Sequence, residues 1–527
     1  MKRVTHYLLM LTAALFIFVA CKKEEKVNPT PPQISSDVSM LAAKFGETKT
    51  ITISLSAAGK IKDVSATTTI GTLKTSNLTG IGAPTGTVTI TFNAPYEEGT
   101  GKITVIASDQ NGLTKTSEID VTVSAAAPVE LTAGDVEGVW GPNMTYIIRG
   151  NIKIPKGKSL TIKEGVTVIV EGDGTQANSP EIAVYGKLYS YGTGQKPVLI
   201  TVAESKRTEA NIFAGLWGGI CGVEDVEEIA IIYTRIEYAG APAPANSPMV
   251  TTGEVEEGDP RYSIYFNNPN GKFVMMHSTI ANSKDDGMRI NQGQLLVAYN
   301  TYINTGKTGG EALNVKSGCI GDVAFNTMIS AATNGLKCSN SDDRSPQTDV
   351  NIYNNTIVNS GWRQTKSGRG GSVNLEKGGR GKVYNNMIVN CRYGVRFPKS
   401  PDNPDIVNSY AGYNYYFGNS VDIAGQFYPS TGSLIKGDLE TANDVSGNAN
   451  ENDPKFVNFN ISGFDSEAAK NSDNIKDPGT FNLKLQAGSP ALGKGKTGFS
   501  SRLSSLTIDG ETYSAPAPSS FIGSSGN

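Results

Sequence analysis

Two hydrophobic rhythms divide the chain. From about residue 34 to residue 124, apolar and polar residues alternate in runs such as Thr50-Ile51-Thr52-Ile53-Ser54-Leu55, Thr87-Val88-Thr89-Ile90-Thr91-Phe92 and Lys102-Ile103-Thr104-Val105-Ile106. Successive side chains of a strand point to opposite faces, so this period of two, broken by Gly and Asn turns, predicts a small β-sandwich over residues 34–126. Ala125-Ala126-Ala127-Pro128 closes it.

Beyond Pro128 the rhythm becomes a repeat. Six segments superpose without gaps: His277-Ser278-Thr279-Ile280, Tyr299-Asn300-Thr301-Tyr302, Phe325-Asn326-Thr327-Met328, Asn354-Asn355-Thr356-Ile357, Asn385-Asn386-Met387-Ile388 and Tyr413-Asn414-Tyr415-Tyr416. The second column is Ser278 followed by five asparagines, and a further column of Asn282, Asn304, Ser330, Asn359 and Asn390 comes four residues later. Asparagines stacked at one turn of each coil can hydrogen-bond from rung to rung and satisfy backbone that a solenoid buries. The uneven spacing of the columns points to loops inserted into constant coils. After each turn comes a strand with apolar second and fourth residues and a polar third: Gly287-Met288-Arg289-Ile290, Ala312-Leu313-Asn314-Val315, Gly335-Leu336-Lys337-Cys338, Ser372-Val373-Asn374-Leu375 and Gly394-Val395-Arg396-Phe397. The apolar members are predicted to fill the interior and the polar ones to form an outward stack.

The asparagine ladder and these strands resemble the right-handed parallel β-helix of the pectate-lyase-like superfamily, over residues 130–497. Lys156 to Gly165 is similar to the first coil of its bacteroidete members. Asp453-Pro454-Lys455-Phe456-Val457 and Leu485 to Ala491 are similar to the last. The resemblance implies an all-β fold, a single-stranded right-handed solenoid preceded by the sandwich. Residues 107–123 of that sandwich resemble the late strands of immunoglobulin-like or cadherin-like domains, without the acidic calcium motifs of cadherins. The Ser- and Gly-rich tail, 498–527, is left open as a cap or a loose end.

The first twenty residues carry a basic start, an apolar stretch and a small residue, the grammar of a secretory signal too short to span a bilayer. Phe18-Val19-Ala20-Cys21 resembles a bacterial lipoprotein box, and Lys22-Lys23-Glu24-Glu25 resembles the export signal of Bacteroidetes surface lipoproteins. The implied product is lipidated at Cys21, anchored to the outer membrane and facing the cell exterior, with 21–33 as a stiff linker. Cys221, Cys319, Cys338 and Cys391 form no CxxC and read as small buried hydrophobes.

Charge and composition narrow the chemistry. The whole chain is nearly neutral, at -3, and has two histidines, one of them in the signal, so a Ser-His-Asp triad or a multi-His metal site lacks its residues. Between Lys272 and Ser400, however, sixteen basic residues face eight acidic ones. The outward stack Arg289, Asn314, Lys337, Asn374, Arg396, with its neighbour Asn291, Lys316, Ser339, Glu376, Pro398, then forms a polar strip about 20 Å long, the scale of a few sugar units. This local basicity favours a carboxylated or sulfated glycan. Asn291, Asn314, Lys316, Asn374 and Glu376 are its candidate binding residues. So are Trp362, Arg363, Lys366 and Arg369 of the loop 361–371, with Trp362 either stacking on a sugar or packed beneath its own loop. The insert Pro242 to Asp259 caps the groove or lies in solvent.

If the strip cuts, β-elimination of a polyuronate fits best. It needs a cation on the carboxylate, a base for the C5 proton and a donor for the departing oxygen. Lys337, its pKa lowered by nearby cations, is the expected base; Arg289 or Arg396 neutralises the carboxylate. Related lyases often use calcium, and Asp285-Asp286 and Asp342-Asp343 are the hard-oxygen candidates, against a reading as turn formers. Hydrolysis lacks the clustered Asp and His of polygalacturonases. The expectation is thus a monomeric surface lipoprotein that engages acidic polysaccharide, with lyase, noncatalytic glycan-binding or adhesive protein, and structural scaffold as open alternatives; nucleic acid is not an expected partner.

Overall fold

The computed structural model describes residues 29–427, 434 and 436–527, so the signal segment and Cys21 lie outside the described residues. The chain divides into two compact units, Met1–Ala126 and Ala127–Asn527.

In the first unit, alternation becomes two four-stranded sheets. One carries Gln33–Ser36, Thr48–Ser56, Thr85–Asn93 and Thr72–Ser76, all antiparallel. The other carries Met40–Lys44, Thr114–Ser124, Gly99–Asp109 and Ile61–Thr68, with only the first pair parallel. Ile51, Ile53, Ile90, Phe92, Ile103, Val105 and Val121 meet in its core, while the residues between those of each run face outward. This is the sandwich that the period of two predicts.

The second unit is the right-handed parallel β-helix. Its first sheet runs from Gly134–Asp135 to Gly371–Glu376, its second from Gly138–Trp140 to Tyr410–Gly412, and its third from Val129–Leu131 to Tyr415–Phe417. Each strand pairs in parallel with its equivalent in the next coil: Met288, Leu313, Leu336 and Val373 are in register. The predicted interior residues Met288, Ile290, Leu313, Val315, Leu336, Cys338, Val373, Leu375, Val395 and Phe397 are all buried, and the four described cysteines are buried and unpaired.

The ladder closes the turn between the second and third sheets. Ser278 N donates to Asn300 Oδ1 (2.9 Å), Asn300 N to Asn326 Oδ1 (3.0 Å), Asn326 N to Asn355 Oδ1 (3.0 Å), Asn355 N to Asn386 Oδ1 (3.2 Å) and Asn386 N to Asn414 Oδ1 (2.9 Å). It runs further than the repeat shows. Asn414 N donates to Asp444 Oδ1, and at the other end Thr234 and Ser190 continue it with hydroxyls. The later column takes φ between 51° and 60°, a left-handed conformation in which Asn is the favoured side-chain-bearing residue.

The C-terminal region departs from expectation. Phe456–Asn458 pairs antiparallel with Asn482–Leu485, so it is no coil of the helix; it covers the outer face of the third sheet over Val358, Met387, Val389 and Tyr415. The tail is neither a cap on the last coil nor loose. It runs out along the second sheet, where Asp322 accepts from the N–H groups of Arg502 and Leu503 (both 2.7 Å). The hairpin Ser505–Ile508/Glu511–Ser514 then packs on Tyr189, Ala230, Val274 and Leu296, and the chain returns to Asn354 and Asn385.

Candidate functional site

The first sheet brings the predicted stack together: Arg289 pairs with Asn314, Asn314 with Lys337, Lys337 with Asn374, and Asn374 with Arg396. Above it lies a cleft of about 660 Å³. Its floor is this stack with Lys316 and Glu376; its walls are Gly309–Glu311, Gln364–Gly370, and Lys377 with Pro398 and Asp402. Seven basic side chains line it against four acidic ones, which keeps the sign that the sequence assigns to this region.

Within the cleft the chemistry is redistributed. Lys337 is not suited to be the expected base. Its ammonium lies 3.0 Å from Glu376 Oε1, and although burial opposes it, Glu311 and Glu376 raise its pKa and hold it charged. The neighbouring cations that were expected to lower it are outweighed by these carboxylates. Lys316 has the character assigned to Lys337: burial, then Arg289 and Lys337, lower its pKa, and no carboxylate lies within ion-pairing distance of it among the described residues. Arg289 is committed, since Asp286 (2.7 Å) and Glu254 (2.9 Å) pair with it and it lies 4.0 Å above the Tyr262 ring. Arg396 is 9% exposed, has no ion pair among the described residues and is pushed down by burial.

Arg363 departs from its expected role, and Trp362 and the acidic pairs each take one of their open readings. Trp362 is packed against the core at 7% exposure, donates from Nε1 to Asn390 O (2.8 Å) and does not line the cleft above the strip. Arg363 is 2% exposed and clamps the carbonyls of Thr305, Gly306 and Ser330, so it holds coils together instead of reaching a ligand. Asp286 is buried and accepts from Arg289, from Asn314 Nδ2 (2.9 Å) and from Glu311 N (2.7 Å), which leaves it a structural anion with its pKa brought to about 2 against the cost of burial. Asp342 and Asp343 lie away from the cleft, beside Arg344 and Asn340. Among the described residues no group of three or more His, Cys, Asp or Glu is placed to hold a metal ion. Lys366 and Arg369 are exposed on the cleft wall and have no ion pair among the described residues.

Behind the strip stand Asp285, a calcium candidate of the sequence, and Glu311, to which the sequence assigned no role. Burial and then Asp286 push Glu311 up to about 8 and Asp285 up to about 7. The sequence reading missed Asn334, whose Nδ2 donates to Glu311 Oε1 (3.3 Å). The Oδ1 atoms of Asn291, Asn314, Asn334 and Asn374 are buried and accept no hydrogen bond from the described residues, a costly condition for four acceptors on one sheet. His277, by contrast, is stacked between Tyr233 and Tyr299 at 4.8 and 5.0 Å.

The raised Glu311 pKa has a thermodynamic consequence. A carboxyl that binds its proton more tightly folded than unfolded contributes stability that is fully present below about pH 4.5 and lost as pH rises through about 8. Denaturant unfolding between pH 5 and about 9 is therefore expected to show declining stability, and Glu311→Gln to flatten the decline; an unchanged slope in that variant would assign the loss elsewhere.

A family model described as a pectate-lyase-like β-helix domain matches residues 130–229. Similar solved structures include domains 4 and 5 of the S-layer protein SbsC, 26% identical over 19% of this chain and 54% of that one, with a TM-score of 0.15. The chain thus spans about half the length of that structure. The BIgI domain of the beta protein from S. agalactiae, solved bound to CEACAM1, is 14% identical over 18% of this chain and 99% of that one, at 0.15. A family 28 exopolygalacturonase from Yersinia enterocolitica is 10% identical over 73% of this chain and 91% of that one, at 0.17. No curated protein matches the chain.

Proposed function

We propose that the cleft engages acidic polysaccharide, a polyuronate or a sulfated glycan, at the surface of a cell to which the chain is tethered through lipidated Cys21. One observation carries this reading. Among the described residues, Lys316, Lys366, Arg369 and Arg396 stand around the cleft without carboxylate ion-pair partners. The cations match the carboxylate or sulfate groups of an acidic sugar. Among the described residues no helix is long and apolar enough to cross a membrane, and the anchor proposed here is the lipid. Labelled fatty acid incorporated into the wild type but not into Cys21→Ala would establish the tether.

The test of the ligand is equilibrium binding to pectate, alginate, glycosaminoglycans and neutral glycans at several salt concentrations. Binding confined to acidic polymers and weakened by salt is expected. Lys366→Ala combined with Arg369→Ala is expected to lower affinity by about tenfold or more, since each loses a charge-assisted contact, with unfolding unchanged because both are exposed. Equal affinity for neutral glycans would overturn the proposal.

Cleavage by β-elimination is the second reading, and Lys316 is the observation that favours it: a half-buried amine at the cleft whose pKa is lowered by burial, with no carboxylate partner among the described residues, has the character of a general base. In this reading Arg396 and Lys337 hold the carboxylate, and the neutral carboxyls of Glu311 or Asp285 supply a proton to the leaving oxygen. Ultraviolet absorbance of unsaturated uronate, lost in Lys316→Ala but kept in part in Lys337→Arg, is the expected signature. A flat trace on polymers that bind would leave a noncatalytic binder.

A further inference from the structure

We infer that the cleft is blind at one end and takes the terminus of a glycan chain, not an internal stretch of a polymer lying along the helix. The inference rests on the acidic-polysaccharide reading and deepens it. The outward column continues toward the N-terminus as Tyr265, Cys221 and Ala183, in register with Arg289. On an open solenoid these positions would prolong the groove. Instead Tyr265 and Cys221 are completely buried and Ala183 is 6% exposed.

The insert 242–259 covers them. Met249 and Val255 pack with Cys221, Val223, Tyr262 and Tyr265 against the outer face of the first sheet. The insert is pinned at both sides of this contact. Ser247 Oγ donates to Glu181 Oε2 (3.0 Å), and Glu254 accepts from Tyr265 Oη (2.9 Å), Asn291 Nδ2 (2.8 Å) and Arg289 Nη1 (2.9 Å). Glu254 thus stands at the coil where the cleft begins, and Arg289 is locked against it. A polymer threaded along the strip would meet this wall.

Charge is graded in the same direction. At the closed end Arg289 and Lys316 stand with Glu254, Asp285 and Glu311, whereas on the two coils furthest from it Lys366, Arg369, Lys377 and Arg396 outnumber Glu376 and Asp402. A chain entering end-first places a hydroxyl-rich terminal ring at the end that holds Asp285 and Glu311, and its following anionic groups against the cations. The cleft spans about four rung spacings, about 20 Å, which limits the bound segment to a few sugars.

The test is stoichiometry against chain length, by calorimetry and light scattering, with the full chain and with short, intermediate and long fractions of pectate, alginate and chondroitin sulfate. Protein bound per glycan chain at saturation is expected to stay constant as the chains lengthen, and short oligosaccharides are expected to compete for every site. Protein per chain rising in proportion to length would overturn the blind end while leaving the acidic-polysaccharide reading intact. Failure to bind any acidic polymer would remove that reading and this inference with it.

Discussion

Asn326→Ala is expected to lower unfolding free energy by about 3–5 kcal/mol, because one side chain satisfies polar groups on three coils and leaving each buried donor or acceptor unpaired costs about 1–3 kcal/mol. Its Oδ1 accepts from Asn300 N and Asn300 Nδ2 (both 3.0 Å), and its Nδ2 reaches the carbonyls of Val297 and Ala324 and Asn355 Oδ1. Alanine orphans all of these, and the coils are too closely stacked for water to replace them. Asn359 provides the contrast. It serves by its left-handed φ of 56°, and its Oδ1 accepts nothing, so Asn359→Gly is expected to stay within about 1 kcal/mol of wild type. Denaturant unfolding of the two variants separates them; similar losses would mean that the ladder is decoration and that backbone conformation alone shapes the turn.

The ladder was legible because each of its contacts joins equivalent positions in neighbouring coils, so the hydrogen bond is written as a column. The same holds for the interior Met288-to-Phe397 set and for the outward stack, whose register the structure reproduces. A further column was present and unread. Asp286, Glu311 and Asn334 each lie three residues before Arg289, Asn314 and Lys337, and Asn334 pairs with Gly371 in the first sheet. In that column the Asp286 anion raises the pKa values of Asp285 and Glu311, while Lys337 is held charged by Glu376 on the strip itself, so the assignment of the base failed on carboxylates and not on the cations counted.

Contacts between non-equivalent positions left no such trace. Trp362 and Arg363 sit in a basic loop that reads as a ligand clamp, yet their partners Asn390, Gly306 and Ser330 lie on other coils at offsets no repeat announces. The composition of the loop was right and its geometry inaccessible, because the direction in which a loop folds depends on what receives it. Lys366 and Arg369, with nothing to receive them, stayed where composition placed them.

The insert that closes the cleft depends on the least legible contact of all, and its loss is the second large effect expected. Arg261 is fully buried and Glu181 is 2% exposed; their ion pair (2.8 Å) joins positions eighty residues apart. The guanidinium also donates to Ser179 O, Ser179 Oγ and Ala241 O, so both flanks of the insert converge on it. Glu181→Ala leaves that charge without a counterion inside the protein and is expected to cost about 3–5 kcal/mol, as for other broken buried pairs. It also removes the acceptor for Ser247, so the segment near Met249 should become cleavable under conditions in which the wild type resists. Exchanging both partners, Glu181→Leu with Arg261→Met, removes the charges together and should recover most of the stability, since an intact buried pair adds little over a packed apolar substitute. If Glu181→Ala costs less than about 1 kcal/mol, or the double variant is worse than the single, water reaches the pair and the insert is held by its apolar contacts alone.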